Sequence, residues 1–120
     1  MRMKIATLLF TYARSKHTKQ VLEALKENSE KPQKLFIFQD GKKESTNCAE
    51  WQEVNLLIRR IDWCMNEIII SPNNKGLARS IVDGINYVFE QYDAVIVLED
   101  DCVPAANFIA FMTQCFYKYI

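Results

Sequence analysis

The sequence predicts an α/β fold: a three-layer sandwich whose mostly parallel sheet of about four strands carries helices on both faces. Three observations predict it. Short apolar runs alternate with longer amphipathic stretches along the whole chain; the run Ala94-Val95-Ile96-Val97-Leu98 has no polar residue; and polar punctuation follows directly on each apolar run. Right-handed crossovers between parallel strands then distribute the helices over the two faces.

Each element has its own justification. Residues 4–10 form a β-like run, and 16–28 suit a helix with Val21, Leu22 and Leu25 on one side. Leu35-Phe36-Ile37-Phe38 is a second strand that stops at the turn signal Gln39-Asp40-Gly41. A helix over 47–64 follows from Trp51, Val54, Ile58 and Ile61, which recur at helical steps. Ile68-Ile69-Ile70 is a third strand, closed by Ser71-Pro72-Asn73-Asn74. Residues 76–91 place Leu77, Ile81, Ile85, Val88 and Phe89 on one stripe, the clearest helix of the chain. The five apolar residues 94–98 read as a central strand buried on both faces. Pro104 resets the backbone, and 105–119 suit a last helix.

Composition narrows the function classes. The 120 residues make one domain, 49% hydrophobic and 25% charged, as in ordinary globular proteins. Fifteen basic and fifteen acidic residues give a formal net charge of zero and no basic block, so nothing favours nucleic acid or an anionic membrane. Cys48, Cys64, Cys102 and Cys115 form no CxxC pair, which points to reduced thiols in a cytoplasmic protein rather than zinc or disulfides. The N-terminal apolar run imitates a signal peptide but is too short, and a first buried strand explains it better. No stretch is long enough for a transmembrane helix.

In an open parallel sheet, ligands collect outside the carboxyl ends of the strands, where strand order reverses. Four polar segments lie there: Thr11-Tyr12-Ala13-Arg14, Gln39-Asp40-Gly41, Asn73-Asn74-Lys75 and Glu99-Asp100-Asp101. Three consecutive carboxylates repel one another unless they are solvated, accept backbone hydrogen bonds or share a cation. Hard divalent ions need only one or two carboxylates if a phosphate-bearing ligand completes their shell. A solvated acidic turn at the start of the last helix is the plain alternative. Side-chain alternation would place Glu99 and Asp101 on one face and Asp100 on the other.

At these residues a resemblance appears. Leu98-Glu99-Asp100-Asp101, with Val103-Pro104 and an aromatic helix containing Phe108 and Phe111, resembles the metal-binding segment of GT-A glycosyltransferases, whose sheet is Rossmann-like. The acidic signature is similar to that of the N-acetylglucosaminyltransferase I type, and Asn74-Lys75-Gly76 to the family-2-like enzymes. The ordered strand-end segments extend the likeness over essentially the whole chain. The resemblance implies a partial GT-A fold, residues 1–120 being the nucleotide-sugar-binding (donor) half cut before the acceptor half. It implies a nucleotide sugar, UDP-linked in most relatives, transferred to a glycan or other hydroxyl acceptor, with Mn²⁺ or Mg²⁺ as cofactor. Position by position, Asp40 would accept from the base and Arg14 would lie against it. Glu99 and Asp100 would address ribose and sugar hydroxyls, and Asp101 would ligate the metal. Thr11 and Asn74 fall in the same binding segments, while Lys75 and Arg79 would add positive charge near the phosphates. The resemblance supplies no catalytic base, because acceptor-half residues are missing.

Competing readings remain. A catalytically silent nucleotide-binding or assembly module would keep the same fold, and the apolar helix 105–119 suits missing packing partners or a homodimer contact. A nucleotidyltransferase would want a Gly-rich loop after strand one, which Thr11–Ser15 lacks; no P-loop or GxGxxG is present. His17 reads as solvated, Cys102 as a packing residue whose acidic neighbours disfavour the thiolate, and Lys42-Lys43 as a solvated charge pair.

Overall fold

The computed structural model describes residues 2–119. Eight elements alternate without exception: β1 (Ile5–Thr11), α1 (Ser15–Lys26), β2 (Leu35–Gln39), α2 (Cys48–Ile58), β3 (Asn66–Ile70), α3 (Leu77–Phe89), β4 (Ala94–Glu99) and α4 (Phe108–Tyr119). All strands pair in parallel, in the order β3-β2-β1-β4. The predicted fold class holds.

Alternation along each strand divides the core between the two faces. Ile5 and Leu9 of β1, Leu35 and Ile37 of β2, and Ile96 and Leu98 of β4 pack with Val21, Leu25, Val54, Ile58 and Ile109 of α1, α2 and α4. Ala6, Leu8, Phe10, Phe36 and Phe38 face the other way, under Ile81, Ile85 and Val88 of α3. The arrangement follows from handedness: the β1–β2–β3 progression puts α1 and α2 on one face, and the reversed β3-to-β4 crossover puts α3 on the opposite one.

Several boundaries move for local reasons. Helix α2 ends at Ile58, six residues before the predicted end, and the Asn66 side chain holds the segment that follows by donating from Nδ2 to the carbonyls of Ile61 and Cys64, 3.1 Å each. Ile61 and Trp63 still pack on the core from this non-helical segment, which is why their spacing imitated helix. Helix α4 starts at Phe108 rather than 105 because Asn28, 2% exposed, donates to the Ala105 carbonyl at 3.0 Å and accepts from the Ile109 amide at 3.0 Å.

One expectation is corrected. Strand β4 lies at an edge, and its Val97 is 38% exposed; the fully buried strands are β1 and β2. An apolar run reports only that no polar side chain was needed, and α3 alone covers that face.

Candidate functional site

Strand order reverses between β1 and β4, so their adjacent carboxyl ends open a crevice. A cleft of about 260 Å³ lies there, walled by Phe10, Thr11, Tyr12 and Arg14 after β1, by Phe38, Asp40 and Lys43 around the end of β2, by Asn74, Gly76, Leu77 and Ser80 at the start of α3, and by Glu99 and Asp100 after β4. The structure therefore gathers Thr11, Arg14, Asp40, Asn74, Glu99 and Asp100, all singled out by sequence, around one space. Lys75 lines an adjoining cavity of about 470 Å³ between α3 and β2–β3, and Arg79 stands outside both, its side chain 73% exposed. Asp101 is exposed at the rim and does not wall the cleft.

The acidic run is held by Arg14. Its guanidinium engages both oxygens of Asp100, through Nη2 to Oδ1 and through Nε to Oδ2 at 3.4 Å, and Nη2 also lies 3.7 Å from Asp101 Oδ2. Asp100 is buried with a side chain 7% exposed, whereas that of Arg14 is 49% exposed. The bond to Asp100 is the main reason the Arg14 pKa lies above its ordinary value; burial opposes it, and the charges of Asp100, Asp101 and Glu99 add to the rise. Simple alternation fails after β4 ends at Glu99: a turn closed by the Cys102 amide and the Glu99 carbonyl, 3.1 Å, brings Asp100 and Asp101 round the same guanidinium. Glu99, on the α3 face, makes no ion pair among the described residues and presents a free carboxylate to the cleft.

Buried amides on the α2 side of the sheet hold the strand ends behind the cleft. Gln39, 1% exposed, donates to the carbonyls of Tyr12 (3.0 Å) and Trp51 (2.9 Å) and accepts from Asn55 (2.9 Å). This fixes Tyr12 at the mouth, with its hydroxyl against Thr46. The Thr11 hydroxyl donates to the Phe38 carbonyl at 2.9 Å and so ties β1 to β2. Glu50 accepts from the Ser15 amide at 3.1 Å and its hydroxyl at 3.1–3.2 Å, supplying the acceptor that α1 lacks at its own N-cap.

The loop before α3 is held by Asp40. Its Oδ1 accepts from the Gly41 amide (2.8 Å) and the Lys75 amide (2.9 Å), and its Oδ2 from the Gly76 amide (2.9 Å) and the Asn74 side chain (3.2 Å). Gly76 takes φ 83°, open without strain to glycine alone. The Lys75 ammonium is engaged by Asp83 at 3.0 Å, which with Arg79 at 3.2 Å holds the Asp83 carboxyl below its ordinary pKa, the Lys75 bond contributing most.

Lys42 lies over the Trp51 ring at 4.9 Å, and Lys43 walls the cleft, so the pair is not simply solvated. Ser80 and Lys43 were missed by sequence; Ser80 sits one turn into α3, where only tertiary placement distinguishes a cleft residue from a solvated one. His17 is exposed, and the Cys102 thiol is raised, first by loss of solvent and then by its contact with Asp101. All four cysteines are free, and no described helix is long and apolar enough to cross a membrane.

No protein-family model matches the sequence, and no curated protein matches it either. Solved structures do match. A mannosyltransferase from Pyrobaculum calidifontis, in complex with GDP-Man and Mn²⁺, superposes with a TM-score of 0.65 at 12% identity, over 88% of this chain and 30% of that one. TarS of S. aureus (residues 1–349) gives 0.70 at 13% identity in its UDP complex, over 98% of this chain and 33% of that one. Its UDP-GlcNAc complex gives 0.67 at 14% identity, over 98% and 32%. The chain thus spans about a third of each neighbour's length and shares with these glycosyltransferases the α/β fold of that part.

Proposed function

We propose that the cleft binds a nucleotide sugar, and that the chain is the donor-binding part of a glycosyltransferase acting on an acceptor hydroxyl. One observation carries the reading: at the strand-order reversal, a free carboxylate (Glu99), an arginine–carboxylate pair (Arg14–Asp100) and the glycine-opened N-terminus of α3 surround one cleft. Each suits a different part of a nucleoside diphosphate sugar. A carboxylate accepts charge-assisted bonds from a vicinal diol, an exposed guanidinium attracts the diphosphate, and the Tyr12 ring at the mouth offers a stacking surface. Thr11 and Asn74 set wall positions, with Lys75 in the adjoining cavity and Arg79 farther out adding positive charge. The nucleotide sugars in the neighbours' complexes support the same reading.

The metal fits only together with a ligand. Among the described residues no three His, Cys, Asp or Glu side chains form a cation cage. Asp101, exposed at the rim, would be the protein's oxygen donor, with diphosphate oxygens and water as the other donors, a set that suits Mg²⁺ and Mn²⁺. When bound, such an ion supplies Lewis-acid stabilisation of the departing diphosphate. Arg14, 3.7 Å from Asp101, must turn away or share that diphosphate.

A silent nucleotide-binding module is the second reading, favoured by the engagement of Asp100 and Asp40 with protein groups. Calorimetric titration of UDP with and without Mn²⁺ tests binding: the expected result is nucleotide heat enhanced by the metal and reduced in Glu99→Ala. No heat at millimolar nucleotide under either condition overturns both readings. Sugar transfer by the longest polypeptide containing these residues separates the first from the second.

A further inference from the structure

Asp40 is the residue that the resemblance assigns to the nucleobase, and its surroundings argue for a different task. An ionised carboxylate has about four acceptor positions, and here four donors occupy them: the amides of Gly41, Lys75 and Gly76 and the Asn74 side chain, at 2.8–3.2 Å. Three of these lie on the segment that opens α3, more than thirty residues away in sequence, and negative charge there is favourable to the helix N-terminus. A second, independent feature serves the same contact. A Cβ on Gly41 would meet the backbone of Asn73 at 2.5 Å and of Asn74 at 2.9 Å, so only glycine lets the two loops lie this close. Asn74 completes the junction by donating to the Gly41 carbonyl at 2.8 Å.

We infer that Asp40 is a positioning residue: with Gly41 it clamps the Asn73–Gly76 segment against the end of β2 and so shapes the cleft wall, and it does not read the base. The consequence for binding rests on the proposed nucleotide site; the clamp itself does not. In this arrangement the edge of the base has no free acceptor on Asp40. Base preference must come from other groups in the cleft, and loss of Asp40 weakens every nucleotide to a similar degree.

Two measurements test this in the full chain. Native-state hydrogen exchange reads the clamp without ligand. In Asp40→Ala the amides of Lys75 and Gly76 exchange at least tenfold faster, while amides of β1 and β2 keep their protection. Gly41→Ala, which retains the carboxylate, produces the same local loss, and Asp40→Asn, with one acceptor oxygen, falls between. Unchanged exchange at both amides in Asp40→Ala overturns the clamp. Calorimetry then compares UDP with its N3-methyl analogue, which lacks the imino N–H. The clamp predicts that Asp40→Ala leaves the ratio of the two affinities as it is in the unsubstituted chain, within twofold, while both fall. A ratio collapsing by tenfold or more shows that Asp40 reads the imino group and overturns the inference. If the unsubstituted chain binds neither nucleotide, the proposed function fails, and the exchange data still decide on the clamp.

Discussion

The Arg14–Asp100 pair makes an asymmetric prediction. At the 3.4 Å separation of Nε and Oδ2 and an effective dielectric of about 20, the gross attraction is about 5 kcal/mol. Much of it is offset by desolvation, and that cost falls unequally, because the Asp100 side chain is 7% exposed and that of Arg14 is 49%. Arg14→Ala therefore orphans a buried carboxylate and should cost about 3 kcal/mol, the lower end for an uncompensated buried charge. Asp100→Ala leaves a guanidinium that water and Asp101 still serve, and should cost about 1 kcal/mol. The double variant loses the pair without orphaning anything and should cost less than the sum, giving a coupling of about 2 kcal/mol. Urea unfolding of the four proteins measures all three values. Equal single costs with additive behaviour would refute the reasoning, since the pair would then be an ordinary surface contact.

Three further perturbations follow from the core. Gly84→Ala gains up to about 1 kcal/mol of helix propensity, but its Cβ would lie 2.8 Å from Phe10 Cζ and 3.1 Å from Phe38 Cζ, rings stacked at 4.8 Å. Overpacking of about 2 kcal/mol should win, leaving a net loss of about 1 kcal/mol that Phe10→Leu partly restores; a Gly84→Ala protein as stable as the parent would show that α3 floats on the sheet. Thr18 is fully buried with a hydroxyl that has no partner among the described residues, so Thr18→Val should be neutral or stabilising by about 1 kcal/mol in thermal unfolding, and a loss of that size would reveal a hidden partner. Burial pushes the Cys64 thiol from 9.0 up to about 11, so the unfolded chain gives up this proton first. The stability so held is intact below pH 9.0 and is lost as pH rises toward about 11; Cys64→Ala should decline less steeply over that window, and parallel curves would sink the assignment.

The fold was legible because its causes are local. The unbroken apolar runs of β1 and β2, buried throughout, and helical stripes such as Val21-Leu22-Leu25 are written into residue order, and handedness then leaves little freedom of topology. The strand-end rule also found most of the cleft, since polar residues directly after apolar strands have nowhere else to go. Strand order is not local. Nothing in Ala94–Leu98 distinguishes an edge from a centre, and an unbroken apolar run reads as central although β4 lies at the edge. Lys43 and Ser80 were equally hidden, because a lysine in a charged loop pair and a serine on a helix become cleft residues only when β2 and α3 meet.

Residue type at the rim also proved a poor guide to availability. Thr11, Arg14, Asp40 and Lys75 have the chemistry to grip a nucleotide, yet each already answers to a neighbour: the Phe38 carbonyl, Asp100, the α3 loop and Asp83. This is expected where the sheet ends. A crevice open enough to admit a ligand also exposes strand-end carbonyls and helix-start amides that need partners of their own. A ligand must then either address the groups left over, chiefly Glu99 and the Tyr12 ring, or displace a protein partner at a cost. Arg14 is the group for which displacement is cheapest, because half of its side chain is already in water and Asp101 stands ready beside it. Under the proposed function, binding that draws Arg14 toward a diphosphate would loosen Asp100, the most deeply buried acid of the rim, and that coupling would make the acidic run responsive to the ligand rather than a passive cluster of charge.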